Sequence, residues 1–307
     1  MTSYVIRRLL AVVLLVIGIS MAVFLIIRLI PGDPAAVLLG TNAGDTAMVR
    51  QLHRELGLDE PIPVQYLQWV GHALTGNLGY SYQQQRPVTS LIAENFPYTL
   101  ELAVFSLVLS LLVGATLGTV AALKKNSIVD TLVMGVAISG FSIPSFWLGI
   151  LLLLLFAVAL HWLPVFGGTT PKGMVLPVIT LAVSGSGFLA RFVRSSVIDA
   201  RQRQYVTTAR SKGLTQPQVL LRHVIRNAML PVLTVVGLQF GNLLAGAVIV
   251  ETVFSRPGIG RLLVQSILAK DYLTVQGVVL VVATLYALIN LAVDLLYPVL
   301  DPRIAVR

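Results

Sequence analysis

Residues 205–231 read YVTTARSKGLTQPQVLLRHVIRNAMLP, and they form the one long basic segment set between apolar spans. Ala209 and Lys212, one turn apart, lead into Gly213, a residue able to take the left-handed conformation that ends a helix. Thr215 is placed to cap a following helix, and Pro217 suits its first turn. From there Val219, Leu220, Val224 and Ile225 return at helical spacing, with Arg222, His223 and Arg226 between them. The pattern predicts two short helices meeting at a glycine. A polar helical hairpin hung from a membrane domain is a docking device, although the spacing alone is equally compatible with an ordinary basic loop.

The surroundings are those of a bilayer protein. Of 307 residues, 56% are hydrophobic and only 11% charged, where soluble domains carry roughly 25% charged residues. Mean hydropathy is +0.86. With no cysteine, disulfides, thiolate metal sites and thiol catalysis are excluded, while the redox compartment stays open. The net charge of +9 does not point to nucleic acid, because aromatic side chains do not interleave with the basic residues to stack bases.

Working outward, the chain resolves into six apolar stretches long enough for a hydrocarbon core of roughly 30 Å. They run over about 9–30, 98–123, 131–160, 174–193, 229–250 and 273–297. The first is too long for the apolar core of a signal peptide and is stopped by Pro31-Gly32-Asp33-Pro34 without a small-residue cleavage site, so it reads as a retained span. Between it and the second lie two amphipathic pieces. One is capped by Asp45, runs through Leu56 and is stopped by Gly57; the other follows Pro61 and Pro63 and ends before Gly76. Trp69, Tyr80 and Tyr82 suit a membrane interface, and a surface for an extracytoplasmic partner fits equally. In the third stretch Pro144, within Gly140-Phe141-Ser142-Ile143-Pro144-Ser145, predicts a kink, which makes Ser142, Pro144 and Ser145 candidates for a translocation pathway. Gly185-Ser186-Gly187 predicts close helix packing in the fourth. Glu251 to Tyr272 reads as a polar link.

Six spans put both termini on one side, and Lys and Arg accumulate on the cytoplasmic side. With the N-terminus inside, 14 of the 22 basic residues are cytoplasmic and seven outside, Arg28 lying near a span end, so the hairpin is expected in the cytoplasm. His53, His72, His161 and His223 show no metal-ligand spacing. A phosphate-binding G-x-x-x-x-G-K-[ST] loop and a G-x-S-x-G elbow are both missing from the sequence. Glu101, near the start of the second span, and Asp294, a turn before the end of the last, are the candidate intramembrane acids, both within reach of an interface.

Four places carry a family resemblance. They are Tyr4-Val5-Ile6-Arg7-Arg8-Leu9 with Leu29-Ile30-Pro31-Gly32-Asp33-Pro34; Tyr205 to Gly213 with Arg222 to Pro231; Val250-Glu251-Thr252-Val253-Phe254 with Pro257-Gly258-Ile259-Gly260; and Asp294-Leu295-Leu296-Tyr297 with Leu300-Asp301-Pro302-Arg303-Ile304. Each is weak alone, but together and in this order the chain resembles the inner-membrane permease subunits of the peptide/nickel branch of ABC importers, most closely the dipeptide or oligopeptide permease B type. The resemblance implies an all-α polytopic fold of about six transmembrane helices, the type I ABC importer permease fold. It also implies an N-terminal region over 1–97 and a five-helix core over 98–300, with a cytoplasmic coupling loop at 194–228.

The same resemblance makes residues 205–231 the family's EAA loop, which sits in a groove of the ATP-hydrolysing subunit. Its ATPase-coupling residues here would be Tyr205, Thr207, Thr208, Ala209, Arg210, Lys212, Gly213 and Arg222. The family pattern of Glu-Ala-Ala, three residues and Gly appears as Thr207-Thr208-Ala209 and Gly213, without the glutamate, and its Leu-Pro appears late, as Leu230-Pro231. Implied partners are a second homologous permease, two ATP-binding subunits and an extracytoplasmic substrate-binding protein; the cargo would be a di- or oligopeptide, with nickel or glutathione as alternatives. The chain itself would bind no cofactor and catalyse nothing, with ATP and Mg held by the partners in a bacterial cytoplasmic membrane. An ion-coupled secondary transporter is the rival class, and it would need ionisable residues in mid-span.

Overall fold

The computed structural model describes residues 2–29, 33–39, 44–55 and 57–300, so the expectations for Pro31-Gly32 and for residues 301–304 lie outside the described residues. Among the described residues the fold is all-α apart from one β-hairpin with two-residue strands, β1 Tyr80–Ser81 paired antiparallel with β2 Arg86–Pro87. Two compact units form, one from the residues up to Tyr98 with Pro257–Leu291, the other from Thr99–Arg256 with the residues from Ala292 onward.

In the first unit α1 (Thr2–Arg28) is mostly exposed, as a lipid-facing helix is, except near its end. There the completely buried Phe24 packs against Tyr66 and Trp69 of α4 (Ile62–Leu74), and the Arg28 guanidinium lies 3.9 Å over the Phe24 ring while donating to Gln65 Oε1. Trp69 is thus turned against α1. Two shorter helices precede α4: α2 (Pro34–Leu39) and α3 (Thr46–Glu55). Asp45 accepts from the Ala47 and Met48 N–H groups at the start of α3, and Gly57 follows it at φ +61°, both as the sequence predicts.

The supposed polar link at 251–272 contains an amphipathic helix, α12 (Ile259–Leu268), buried along one face. Its Ile259 and Leu262 pack with Leu78, Val88, Leu91 and Val278 in one apolar core. Period-3.6 apolar residues in a stretch too short to span a membrane do not stand out from sequence. Next to this core, Asp271 heads α13 (Tyr272–Leu300), accepting hydrogen bonds from Ser81 Oγ at 2.5 Å and Thr274 Oγ1 at 2.7 Å.

The second unit is organised around α8 (Pro171–Arg201), the most enclosed of the long apolar helices. Hydrocarbon gives no hydrophobic drive for helices to associate inside a membrane, so close packing of small residues does the work. On α5 (Val88–Leu123) a Cβ at Gly118 would stand 2.5 Å from the Ala190 carbonyl oxygen, and one at Gly114 would meet the Leu189 Cβ at 2.7 Å. On α6 (Ile128–Ser142), Gly140 lies against Val183, and a Cβ at Gly187 would collide with the Ala137 carbonyl. Gly185 lies against Ser110 of α5 and Gln239 of α11 (Arg226–Val253). The Gly185-Ser186-Gly187 step is therefore where three helices converge on α8. The pairings advance in parallel for α5 with α8 and run antiparallel for α6 and α11 with α8.

The second span begins at Val88, ten residues earlier than expected, and carries Pro97 inside the helix. The third is not one kinked helix. It breaks into α6 and α7 (Ser145–Leu152), the latter continued by a π-helical segment Leu153–Ala159, and the two arms meet at 101°. Ile143 and Pro144 both lie in extended conformation, so Pro144 starts a new helix instead of bending an old one. Each arm is 15 residues, about 22 Å at 1.5 Å per residue, so neither crosses alone.

Candidate functional site

The 202–225 segment forms the predicted pair of short helices. α9 (Gln204–Ser211) ends at Gly213, which stands at φ +79°. Its closure is a Schellman arrangement: Gly213 N–H donates to Arg210 O at 2.9 Å and Leu214 N–H to Ala209 O at 3.4 Å. α10 (Gln216–Val219) follows, with Pro217 in its first turn and the Thr215 N–H donating to Gln218 Oε1 at 3.0 Å. A π-helical segment Leu220–Ile225 then runs directly into α11. Its wider turn lets Val219 and Val224, five residues apart, both point inward.

Those two residues, with Val206 and Ala209, share an apolar core with Leu189, Val193 and Val197 of α8 and Ala122 of α5. The hairpin is thus part of the helix bundle's end, not a pendant loop. Of the eight residues singled out for coupling, Tyr205, Thr207, Thr208, Arg210, Lys212, Gly213 and Arg222 lie on the outer surface. Ala209 does not: it is turned into the core, because Val206 and Ala209 three apart define the buried stripe of α9. From Arg203 to Pro231 there is no acidic residue, so Arg203, Arg210, Lys212, Arg222 and Arg226 give this outer surface one sign of charge.

Two contacts tie α8 to its neighbours just before the hairpin. Arg194 Nε and Nη2 donate to the two oxygens of Asp130 at 2.7 and 2.6 Å, and Arg201 Nη1 donates to the Ala122 carbonyl at 3.0 Å. Sequence reading counted both arginines only as topology signals, since no spacing connects residues 64 and 79 positions apart.

The broken span opens a groove of about 570 Å³ lined by Ser139, Ser142, Ile143, Pro144, Phe146 and Trp147. Ser142 and Pro144 are exposed in it, and Ser142 Oγ donates back to the Ile138 carbonyl at 2.9 Å. Ser145, half-buried, heads α7 beside this groove without lining it.

Elsewhere in this unit is a buried polar cluster the sequence did not disclose. Arg256 is completely buried; it donates to Glu101 Oε2 at 2.7 Å and to the Gly168 carbonyl at 2.8 Å. Glu251, also completely buried, accepts from Thr99 Oγ1 at 2.5 Å. Glu101 is not close to a helix end, because α5 begins 13 residues before it; its carboxylate, 44% exposed, is held by Arg256. Asp294 lies on α13.

Among the described residues no three metal-ligating side chains gather. His53 instead bridges two carboxylates, Asp33 at 2.8 Å and Asp59 at 3.5 Å. The hydrogen bond to Asp33, and its charge, raise the His53 pKa above the ordinary value near 6.5.

The helical core has known counterparts. An inward-facing structure of the MetNI methionine ABC transporter superposes with a TM-score of 0.60, covering 69% of this chain and 96% of that one at 16% identity. An amino acid ABC transporter solved with histidines gives a TM-score of 0.53 over 70% and 94% at 18% identity. The fold is therefore that of a type I ABC importer transmembrane subunit. Residues 114–306 match the binding-protein-dependent transport system inner membrane component family, to which this chain belongs, and residues 1–103 match the N-terminal membrane component of such systems. The chain is 42% identical over 304 residues to the glutathione transport system permease protein GsiC of Salmonella paratyphi A, and 41% identical to that of Escherichia coli strain K12, each match covering 99% of both chains. It is an ABC importer inner-membrane permease of the peptide/nickel branch, a multi-pass membrane protein that works with ATP-binding and substrate-binding components.

Proposed function

We propose that this permease carries small peptides, glutathione among them, delivered by an extracytoplasmic binding protein, and that the 202–225 hairpin is where the ATP-binding subunits engage. The observation that carries this reading is the hairpin itself, whose outer surface is basic and whose inner face is welded into the bundle core. Such a part can receive a push from outside and pass it inward. Tyr205, Thr207, Thr208, Arg210, Lys212 and Arg222 would meet the ATPase; Ala209 and Gly213 would hold the shape they are presented on. Peptide cargo is supported by the glutathione permeases at 41–42% identity, since glutathione is a modified tripeptide; nickel has no such support.

In this reading the assembly holds a second homologous permease and two ATPases, which supply the ATP and Mg chemistry, and the chain described here catalyses nothing. Both termini and the hairpin are cytoplasmic, on the count of basic residues. Residues 1–97 form an N-terminal region whose loop meets the binding protein, and 98–300 form the translocating core, with Ser142, Pro144 and Ser145 along the path.

The test is purification of the complete chain beside a variant whose residues 205–226 are replaced by a flexible linker. ATPase subunits should accompany the first and not the second, and proteoliposomes of the wild-type complex should take up glutathione in competition with dipeptides. Uptake driven by an ion gradient with no ATPase bound to either form would overturn the reading.

A further inference from the structure

We propose that the Arg194–Asp130 ion pair is a positioning latch that fixes α6 to α8, so that displacement of the hairpin reaches the chain break at Pro144. The proposal rests on the coupling role of the hairpin argued above. α8 enters the hairpin directly, and its last turns share a core with the hairpin's Val206, Ala209, Val219 and Val224. A tilt of the hairpin therefore moves the end of α8. What α8 carries with it depends on its ties to the flanking helices.

Toward α6 three points lie on one antiparallel line: Gly140 with Val183, Ala137 with Gly187, and Asp130 with Arg194. The first two are contacts of small or apolar groups, which resist separation but have little to oppose sliding along the axis. The third is a fork of two charge-assisted hydrogen bonds onto a carboxylate whose side chain is only 7% exposed, and it sets register as well as distance. Asp130 is held in turn by the Asn126 N–H at 2.9 Å, so the latch grips the capped first turn of α6. From Asp130 to Ser142 α6 is one uninterrupted helix, about 18 Å long at 1.5 Å per residue. It ends where Ile143 and Pro144 leave the helical conformation and the 101° turn begins. A rigid strut thus joins the latch to a hinge. On the other flank, Arg201 on the Ala122 carbonyl fixes the end of α8 to the end of α5.

The test uses the assembled transporter and needs no cargo. The chain has no cysteine, so Ser142→Cys gives it a single thiol in the groove at the break, which is labelled with an environment-sensitive fluorophore. Trapping the ATPases with ATP and vanadate should shift the fluorescence. Asp130→Asn and Arg194→Lys should still co-purify with ATPase but lose the shift by at least about fivefold, the lower end of typical coupling between sites. Arg194→Lys keeps the charge and loses the fork, so it carries the test should Asp130→Asn fail to assemble, and Asp130→Glu should restore at least half of the signal. A lowered unfolding temperature with an undiminished shift would make the pair merely structural and overturn the proposal. If the ATPases assemble yet the Ser142→Cys chain itself shows no shift, the latch falls while docking survives. If replacement of 205–226 leaves ATPase binding intact, the docking reading falls first.

Discussion

Gly213 offers a graded perturbation. It stands at φ +79°, and nothing lies within 4 Å of the place a Cβ would take. The cost of a side chain there is therefore conformational alone, about 1–2 kcal/mol for alanine and less for asparagine, which visits the left-handed region more readily. Opposing that cost are Val206, Val219 and Val224, all at least 98% buried, and each worth about 1.5 kcal/mol or more of burial. The hairpin should keep its shape with either residue. Proline is different in kind. Its ring requires φ near −65° and it lacks the N–H that donates to Arg210 O at 2.9 Å, so the turn must be rebuilt. Gly213→Asn and Gly213→Ala should retain ATPase co-purification and most glutathione uptake in proteoliposomes, whereas Gly213→Pro should insert normally and transport nothing. Normal uptake by the proline variant would refute the coupling role. An alanine variant as inactive as proline, with an unchanged unfolding temperature, would show that the glycine serves close contact with a partner and not the turn.

Gly187→Leu should lower the unfolding temperature in detergent, because its side chain meets the Ala137 backbone carbonyl and α6 must move away, at a cost of about 1–3 kcal/mol or more; an unchanged midpoint would contradict the α6–α8 seam. Arg256→Met should lower the unfolding temperature, because Glu101 and the Gly168 carbonyl lose the donor that joins them, a loss of about 1–3 kcal/mol; an unchanged midpoint would sink this account. The His53 bridge should be pH-dependent. Its pKa is raised in the fold, so its contribution is complete below about 6.5 and is lost as pH rises through the raised value. Proteolysis of the segment 33–59 should accelerate from pH 5.5 to 8.5, and His53→Ala should abolish the difference.

Much of this was legible from the sequence, for reasons that differ by element. The hairpin could be read because its signals are local: a left-handed glycine, a threonine cap and a proline in a first turn act within a few residues of themselves. The number of spans was legible because a hydrocarbon core sets their length. Pro144 was seen, but as a bend; whether a helix continues past a proline depends on what neighbouring helices offer, and here it stops. α12 escaped notice because it is too short for a span and its burial comes from partners far along the chain.

What the sequence determined by itself is the membrane class, the alternation of spans and the presence of a basic hairpin, since each follows from composition or short-range stereochemistry. The tertiary structure alone decided that Ala209 faces inward, that Glu101 is held by a completely buried Arg256, and that Arg194 reaches Asp130. Pairings across 64 and 155 positions depend on which helix faces meet, and that is settled by how Gly114, Gly118, Gly185 and Gly187 allow the backbones to approach.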